Sequence, residues 1–125
     1  MVIPAAVRRE LEQHARAEVP NEACGLLAFR DGVAERYLPG ENELASPYRF
    51  RLKPGDPNDF YLEDEGYQVA VFHSHPNDSA EPSRTDLANI GLWTGQPYFI
   101  LALATGELRG WQIDDGRVDE LELAE

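Results

Sequence analysis

Apolar residues Val7, Leu11 and Ala15 recur at every fourth position between Pro4 and Glu18, the spacing of one face of an α-helix. Pro4 suits a first helical turn and Pro20 ends the segment. The pattern then changes period. Cys24-Gly25-Leu26-Leu27-Ala28-Phe29 is a short apolar run, Asp31-Gly32 is a turn signal, and Val33 to Leu38 returns, which predicts a β-hairpin. Residues 39–58 are rich in Pro, Gly, Asn and Ser and read as an irregular connection, with a short strand at Tyr48 to Leu52. Acidic residues ahead of Gly66 predict a short helix over Pro57 to Glu65. Gln68 to His73 reads as a buried strand and Ser83 to Leu92 as a helix. Three further strands follow at Tyr98 to Ala104, Leu108 to Ile113 and Val118 to Leu123, with turns at Thr105-Gly106 and Asp114-Asp115-Gly116. Helices and strands mix without regular βαβ alternation, so the expected class is α+β, a mixed sheet with helices on its faces.

Composition narrows the function classes. A chain of 125 residues, 42% apolar and 27% charged, suits one soluble globular domain over 1–125 with a single core. Eleven basic against twenty-three acidic residues give a net charge of -12. Such a surface repels nucleic acid and anionic lipid, whose binding needs clustered Lys and Arg. No run approaches the roughly 18 apolar residues of a membrane helix. Met1-Val2-Ile3-Pro4 lacks the basic and apolar regions of a signal peptide, so a cytoplasmic location is expected. The single cysteine, Cys24, excludes an intramolecular disulfide and a multi-cysteine zinc site.

The chemistry concentrates between His73 and Asp86. His73-Ser74-His75 closes an apolar strand, and alternation puts both imidazoles on one side, where they can converge on an ion. Pro76 and Pro82 bound a loop of defined path. Ser83 is a good helix N-cap, which places Asp86 in the first turn as a third possible ligand. Two histidines and one aspartate with an open fourth position is a catalytic rather than a structural zinc pattern. Hydrolysis at such a site also needs a proton carrier, and from the residues alone Glu22 does not stand apart from the other acids.

The spacing resembles that of the JAMM, or MPN-plus, metallopeptidases. Their signature is an upstream glutamate, His-x-His, seven residues, Ser, two residues and Asp; here these are Glu22, His73-Ser74-His75, Pro76 to Pro82, Ser83, Arg84-Thr85 and Asp86. Pro20-Asn21-Glu22-Ala23-Cys24-Gly25-Leu26-Leu27 and Asn42-Glu43-Leu44-Ala45-Ser46-Pro47-Tyr48-Arg49-Phe50 are similar to the first strand and central loop of the short bacterial members. The resemblance implies a curved mixed sheet flanked by helices, of cytidine-deaminase-like architecture. It implies one Zn²⁺ held by His73, His75 and Asp86, with Glu22 as general base and then acid. Ser83 is implied to stabilise the developing oxyanion, and the reaction to be hydrolysis of a peptide or isopeptide bond. The implied partner is a ubiquitin-like sulfur-carrier protein, cut near its C-terminal Gly-Gly; residues 39–58 are expected to line the cleft.

Other readings stay open at this point. MPN-like domains without ligands serve as scaffolds, and larger relatives are deubiquitinases. Ser83 with Asp86 forms a capping-box variant on its own account. Cys24 is either a small core residue or a thiol nucleophile paired with His73 or His75. His14 reads as a solvated or edge residue, Trp93 and Trp111 as packing, and Glu63-Asp64-Glu65 as a solvated helix face. A base deaminase needs Pro-Cys-x-x-Cys and a zincin needs His-Glu-x-x-His; neither occurs. Oligomeric state is not readable from the sequence.

Overall fold

The computed structural model describes residues 1–124, with Phe60 and Leu92 described through their backbone only. Helix α1 spans Ala5–Ala17 and buries Val7, Leu11 and Ala15, the three residues of its apolar stripe. Seven strands follow: β1 Cys24–Arg30, β2 Val33–Asn42, β3 Leu52–Pro54, β4 Gln68–His75, β5 Pro97–Ala102, β6 Glu107–Asp114 and β7 Arg117–Leu121. They form one sheet in the order β3-β2-β1-β4-β5-β6-β7. Every pairing is antiparallel except β4 with β5. A parallel pair cannot be closed by a tight turn, so the chain between β4 and β5 must cross over the sheet. That crossover carries the second helix, α2, over Arg84–Ala88. The α+β class expected from the pattern is the one observed.

The sheet separates two apolar layers. On one face Leu27, Phe29, Phe72, Phe99 and Leu101 pack under α1. On the other, Val71, Tyr98, Ile100, Trp111 and Ile113 lie under the crossover, with Phe50 and Trp93 packed against them. Gly25 permits the close approach of β1 and β2: a Cβ there would sit 2.6 Å from the Tyr37 ring and 2.7 Å from the Leu38 carbonyl oxygen. His14 is a partnered residue rather than a solvated one, since its Nδ1 lies 2.6 Å from the Tyr37 hydroxyl. No helix among the described residues is long and apolar enough to cross a membrane.

Several elements depart from the sequence pattern, in their bounds or, for the helix at Pro57–Glu65, in type alone. The short strand after the hairpin is Leu52–Pro54, not Tyr48–Leu52, because only residues 52–54 find backbone partners, on Gly40 to Asn42. Residues 44–51 are instead gathered by the Asn42 side chain, whose Oδ1 accepts from the Leu44 and Arg51 N–H groups and whose Nδ2 donates to the Arg49 carbonyl. The segment Pro57–Glu65 is a 3-10 helix, capped by Asp56 and ended by Gly66 at φ 90°. The helix expected to run to Leu92 stops at Ala88, and a separate 3-10 turn covers Gly91–Trp93. Gly91 adopts φ 48°, a left-handed conformation that a continuing helix cannot use.

Candidate active site

Strand β4 ends under the crossover, and its alternation sends His73 and His75 to the same face as Val71, away from α1. Ser74 between them points to the α1 side. Its Oγ accepts from the Ala23 N–H at 2.9 Å, and its own N–H donates to the Ala23 carbonyl at 3.0 Å. With Cys24 in register opposite His73, this latch carries Glu22 to the edge of the histidine pair. The Glu22 backbone is held from the other side as well. Its N–H donates to Ser46 O at 2.8 Å, and Asn42 Nδ2 donates to its carbonyl at 3.0 Å.

Asp86 arrives from α2 by a reciprocal cap. Ser83 Oγ accepts from the Asp86 N–H at 3.0 Å, and Asp86 Oδ2 accepts from the Ser83 N–H at 2.9 Å. This capping box fixes the first turn and turns the carboxylate inward. The same carboxylate reaches both imidazoles: Oδ2 is 3.0 Å from His75 Nε2 and Oδ1 is 3.3 Å from His73 Nε2. The cap and the approach to the histidines therefore coexist.

One potential ligand atom each from Glu22, His73, His75 and Asp86 lies within 4.8 Å of the others. The four residues are 2%, 0%, 2% and 4% exposed. The two Nε2 atoms stand 3.0 Å apart. His75 turns Nδ1 outward to the Ser79 carbonyl at 2.6 Å, which commits that nitrogen to donating, so that the neutral ring, the form that binds a metal, presents its lone pair inward at Nε2. Glu22 Oε1 is buried with no hydrogen-bond partner and lies 4.0 Å from His73 Nε2. Removing two carboxylates from water costs on the order of several kcal/mol per ion, more than the few hydrogen bonds here return. Lone pairs converging without matching donors make a set that a cation satisfies, so these residues fit a metal ion.

The electrostatics follow from the burial. Glu22 is pushed up to about 8, first by burial and then by the Asp86 charge, with Asp78 adding and His75 opposing. Burial pushes His73 down against the pull of Asp86. Burial also acts to lower His75, but bonds to Asp86 and to the Ser79 carbonyl outweigh it and raise the group. Asp86 lies far below the usual carboxylate range: the two imidazoles and the Ser83 N–H overcome its burial.

Ser83 lines a small cavity of about 90 Å³ with Glu22, His75, Asp78 and Tyr48. This is the opening through which the cluster meets solvent. Cys24, in register opposite His73, lies on the same face of the sheet but offers no reactive thiolate. It is buried, and burial with the nearby Glu22 and Glu18 charges pushes its thiol up to about 12, which removes the thiolate a nucleophile requires.

Some supporting residues are not legible from spacing. Trp111 on β6 donates Nε1–H to the Ala80 carbonyl at 2.9 Å, next to the Ser79 carbonyl that holds His75. Arg109 lies 4.7 Å over the Trp111 ring, is bound twice by Glu120, and reaches Glu81 at 3.3 Å. Phe50 stacks on the His73 ring at 4.6 Å between centroids. Trp93 packs against the core, and Glu63, Asp64 and Glu65 are exposed, as the pattern implied.

A mixed sheet that buries two histidines and two carboxylates beside a solvent opening presents a cluster suited to a metal ion. A sequence model described as prokaryotic homologs of the JAB domain matches residues 4–114, and the chain belongs to that family. It is similar to the CysO-cysteine peptidase of Mycobacterium tuberculosis, 35% identical over 130 aligned positions that cover 96% of this chain and 87% of that protein. A probable TtuB-protein conjugate cleaving protease of Thermus thermophilus is 32% identical over 123 positions, covering 94% and 78% of the two chains. A solution structure of a Desulfitobacterium hafniense protein superposes with a TM-score of 0.81 at 32% identity, over 98% of this chain and 90% of that one. The short bacterial JAMM resemblance read from the motif is thus the family found, and the chain is a hydrolase of peptide or isopeptide bonds.

Proposed function

We propose that this protein is a zinc-dependent peptidase that hydrolyses an amide bond at the C-terminal Gly-Gly region of a ubiquitin-like sulfur-carrier protein. The observation that carries the reading is the buried convergence of Glu22, His73, His75 and Asp86, with Glu22 Oε1 left unpartnered at the mouth. Relatives named for cleaving CysO-cysteine and TtuB-protein conjugates support the substrate class.

His73 and His75, through Nε2, and Asp86, through its carboxylate, would hold one Zn²⁺. Zinc bound there supplies Lewis acidity that polarises a carbonyl and acidifies water. Glu22 accepts a proton from the attacking water at Oε1 and returns it to the departing amine nitrogen. Ser83 Oγ spends a lone pair on the Asp86 N–H, which leaves its hydroxyl hydrogen to donate to the substrate carbonyl oxygen as charge develops. The Ser79 carbonyl and the Phe50 ring keep both imidazoles oriented.

The test is elemental analysis of the purified protein together with cleavage of a carrier protein extended beyond Gly-Gly. One zinc per chain and cleavage abolished by chelator are expected. A folded, metal-replete preparation that binds no zinc would end the reading in favour of a scaffold.

Trp111 gives a second measurable consequence. Trp111→Phe keeps a ring under the loop but removes the N–H that holds the Ala80 carbonyl, one residue along the chain from the carbonyl on His75. Supporting contacts of this type are worth about 10–100-fold in metal affinity. Competition with a chromogenic chelator should show a loss in that range, with the unfolding temperature much less affected than in Trp111→Ala.

A further inference from the structure

Residues Arg49-Phe50-Arg51-Leu52-Lys53 alternate cation and apolar side chain. Phe50 and Leu52 pack against the Val71, Tyr98 and Ile100 layer. Arg49, Arg51 and Lys53 between and beside them are exposed. Among the described residues no carboxylate lies within ion-pair distance of any of the three. Acids outnumber bases two to one in this chain, so three cations alternating over five residues stand out from its charge, with Glu41 opposite Lys53 as the one acid across the β2–β3 pair.

The stripe is fastened to the site. Asn42 bonds the Arg49 carbonyl, the Arg51 N–H and the Glu22 carbonyl within 3.1 Å, and Phe50 stacks on His73. Beside it runs a groove of about 310 Å³, bounded by Arg49 to Leu52 on one wall and by Asn89 to Gly91 and Trp93 on the other. The turn at Pro47 and Tyr48, which lines the opening over Glu22, leads directly into that wall.

We propose that this stripe docks an acidic, extended polypeptide tail, with carboxylates at alternate residues of the substrate paired to Arg49, Arg51 and Lys53. Alternate residues of an extended chain project to one side at about 6.6–6.8 Å intervals, so a strand-like tail matches the stripe residue for residue. The inference rests on the peptidase reading and names the chemistry of its substrate. The acids lie in the stretch ahead of the scissile bond, and the groove takes the intervening side chains.

The test compares two fluorescent peptides of equal length ending in Gly-Gly-Cys, one with Glu and one with Lys at alternate preceding positions. Binding is read by anisotropy, so it is scored whether or not cleavage occurs. The acidic peptide is expected to bind at least about tenfold tighter at low salt, and most of that gap should close at about 1 M salt. Reversal of the stripe (Arg49→Glu, Arg51→Glu, Lys53→Glu) should invert the preference. The same charge change at Arg9, Arg16 and Arg36 should leave it in place. Equal affinities, or equal losses in the two triple variants, would overturn the proposal. A free protein that sediments as a dimer split by the stripe reversal would overturn it too, because the surface would belong to a second copy. Charge-dependent binding without any cleavage would keep the docking surface and fail the peptidase reading; cleavage indifferent to charge would do the reverse.

Discussion

Glu22→Gln is expected to keep its zinc and lose turnover by about 10²–10⁴-fold, the usual worth of a positioned proton carrier. The geometry separates Glu22 from the residues proposed as ligands. Asp86 touches both imidazoles within 3.3 Å, while Glu22 Oε1 stands 4.0 Å from His73 Nε2 and has no hydrogen-bond partner. Glu22 also lines the opening where a substrate enters, beside Ser83. Glutamine has nearly the same volume, so the buried wall stays filled and only the acid-base function is removed. Elemental analysis with single-turnover cleavage measures both halves. If the variant came out free of metal, Glu22 would be a ligand and the division of roles proposed here would be wrong.

Asp86→Asn should empty the site while leaving the helix that bears it in place. The aspartate has two neighbours to serve: Oδ2 accepts from the Ser83 N–H and also faces His75. An asparagine Oδ1 can still accept from the Ser83 N–H, and Ser83 remains the N-cap, so the capping box is retained. It brings no charge to an ion, and the loss in metal affinity should exceed the roughly 100-fold that supporting contacts account for. Ser83→Ala is the converse change. It removes the Oγ acceptor of the Asp86 N–H, should cost about 1 kcal/mol of stability, and leaves the carboxylate available to the metal. Chelator competition and thermal unfolding on the two variants separate ligation from capping. Metal retained by Asp86→Asn would reduce Asp86 to a structural residue.

The parts of this molecule readable from the chain are those whose cause is local. The α1 stripe follows from a four-residue spacing, and the hairpin from Asp31-Gly32 between two apolar runs. The shared direction of His73 and His75 follows from strand alternation, and the reciprocal bonds of Ser83 and Asp86 from a three-residue spacing at a helix start. The pattern is ambiguous where no local rule decides. A strand at Tyr48 to Leu52 was as reasonable as one at Leu52 to Pro54 until Asn42 and the β2 edge selected between them.

The sequence by itself determined the helix, the hairpin, the imidazole pair and the carboxylate placed to meet it, because each depends on neighbours a few residues away. Only the tertiary structure brought Glu22 to that cluster. The pairing of Cys24 with His73 and the Ser74 latch to Ala23 join segments about fifty residues apart, and no periodicity encodes such a register. It likewise brought Trp111 beneath the loop holding His75, and set Arg49, Arg51 and Lys53 facing solvent beside the site. Alternation in the chain separates the apolar side chains from the charged ones. Which of those faces meets a sheet, and what lies next to it, is settled only when distant segments pack.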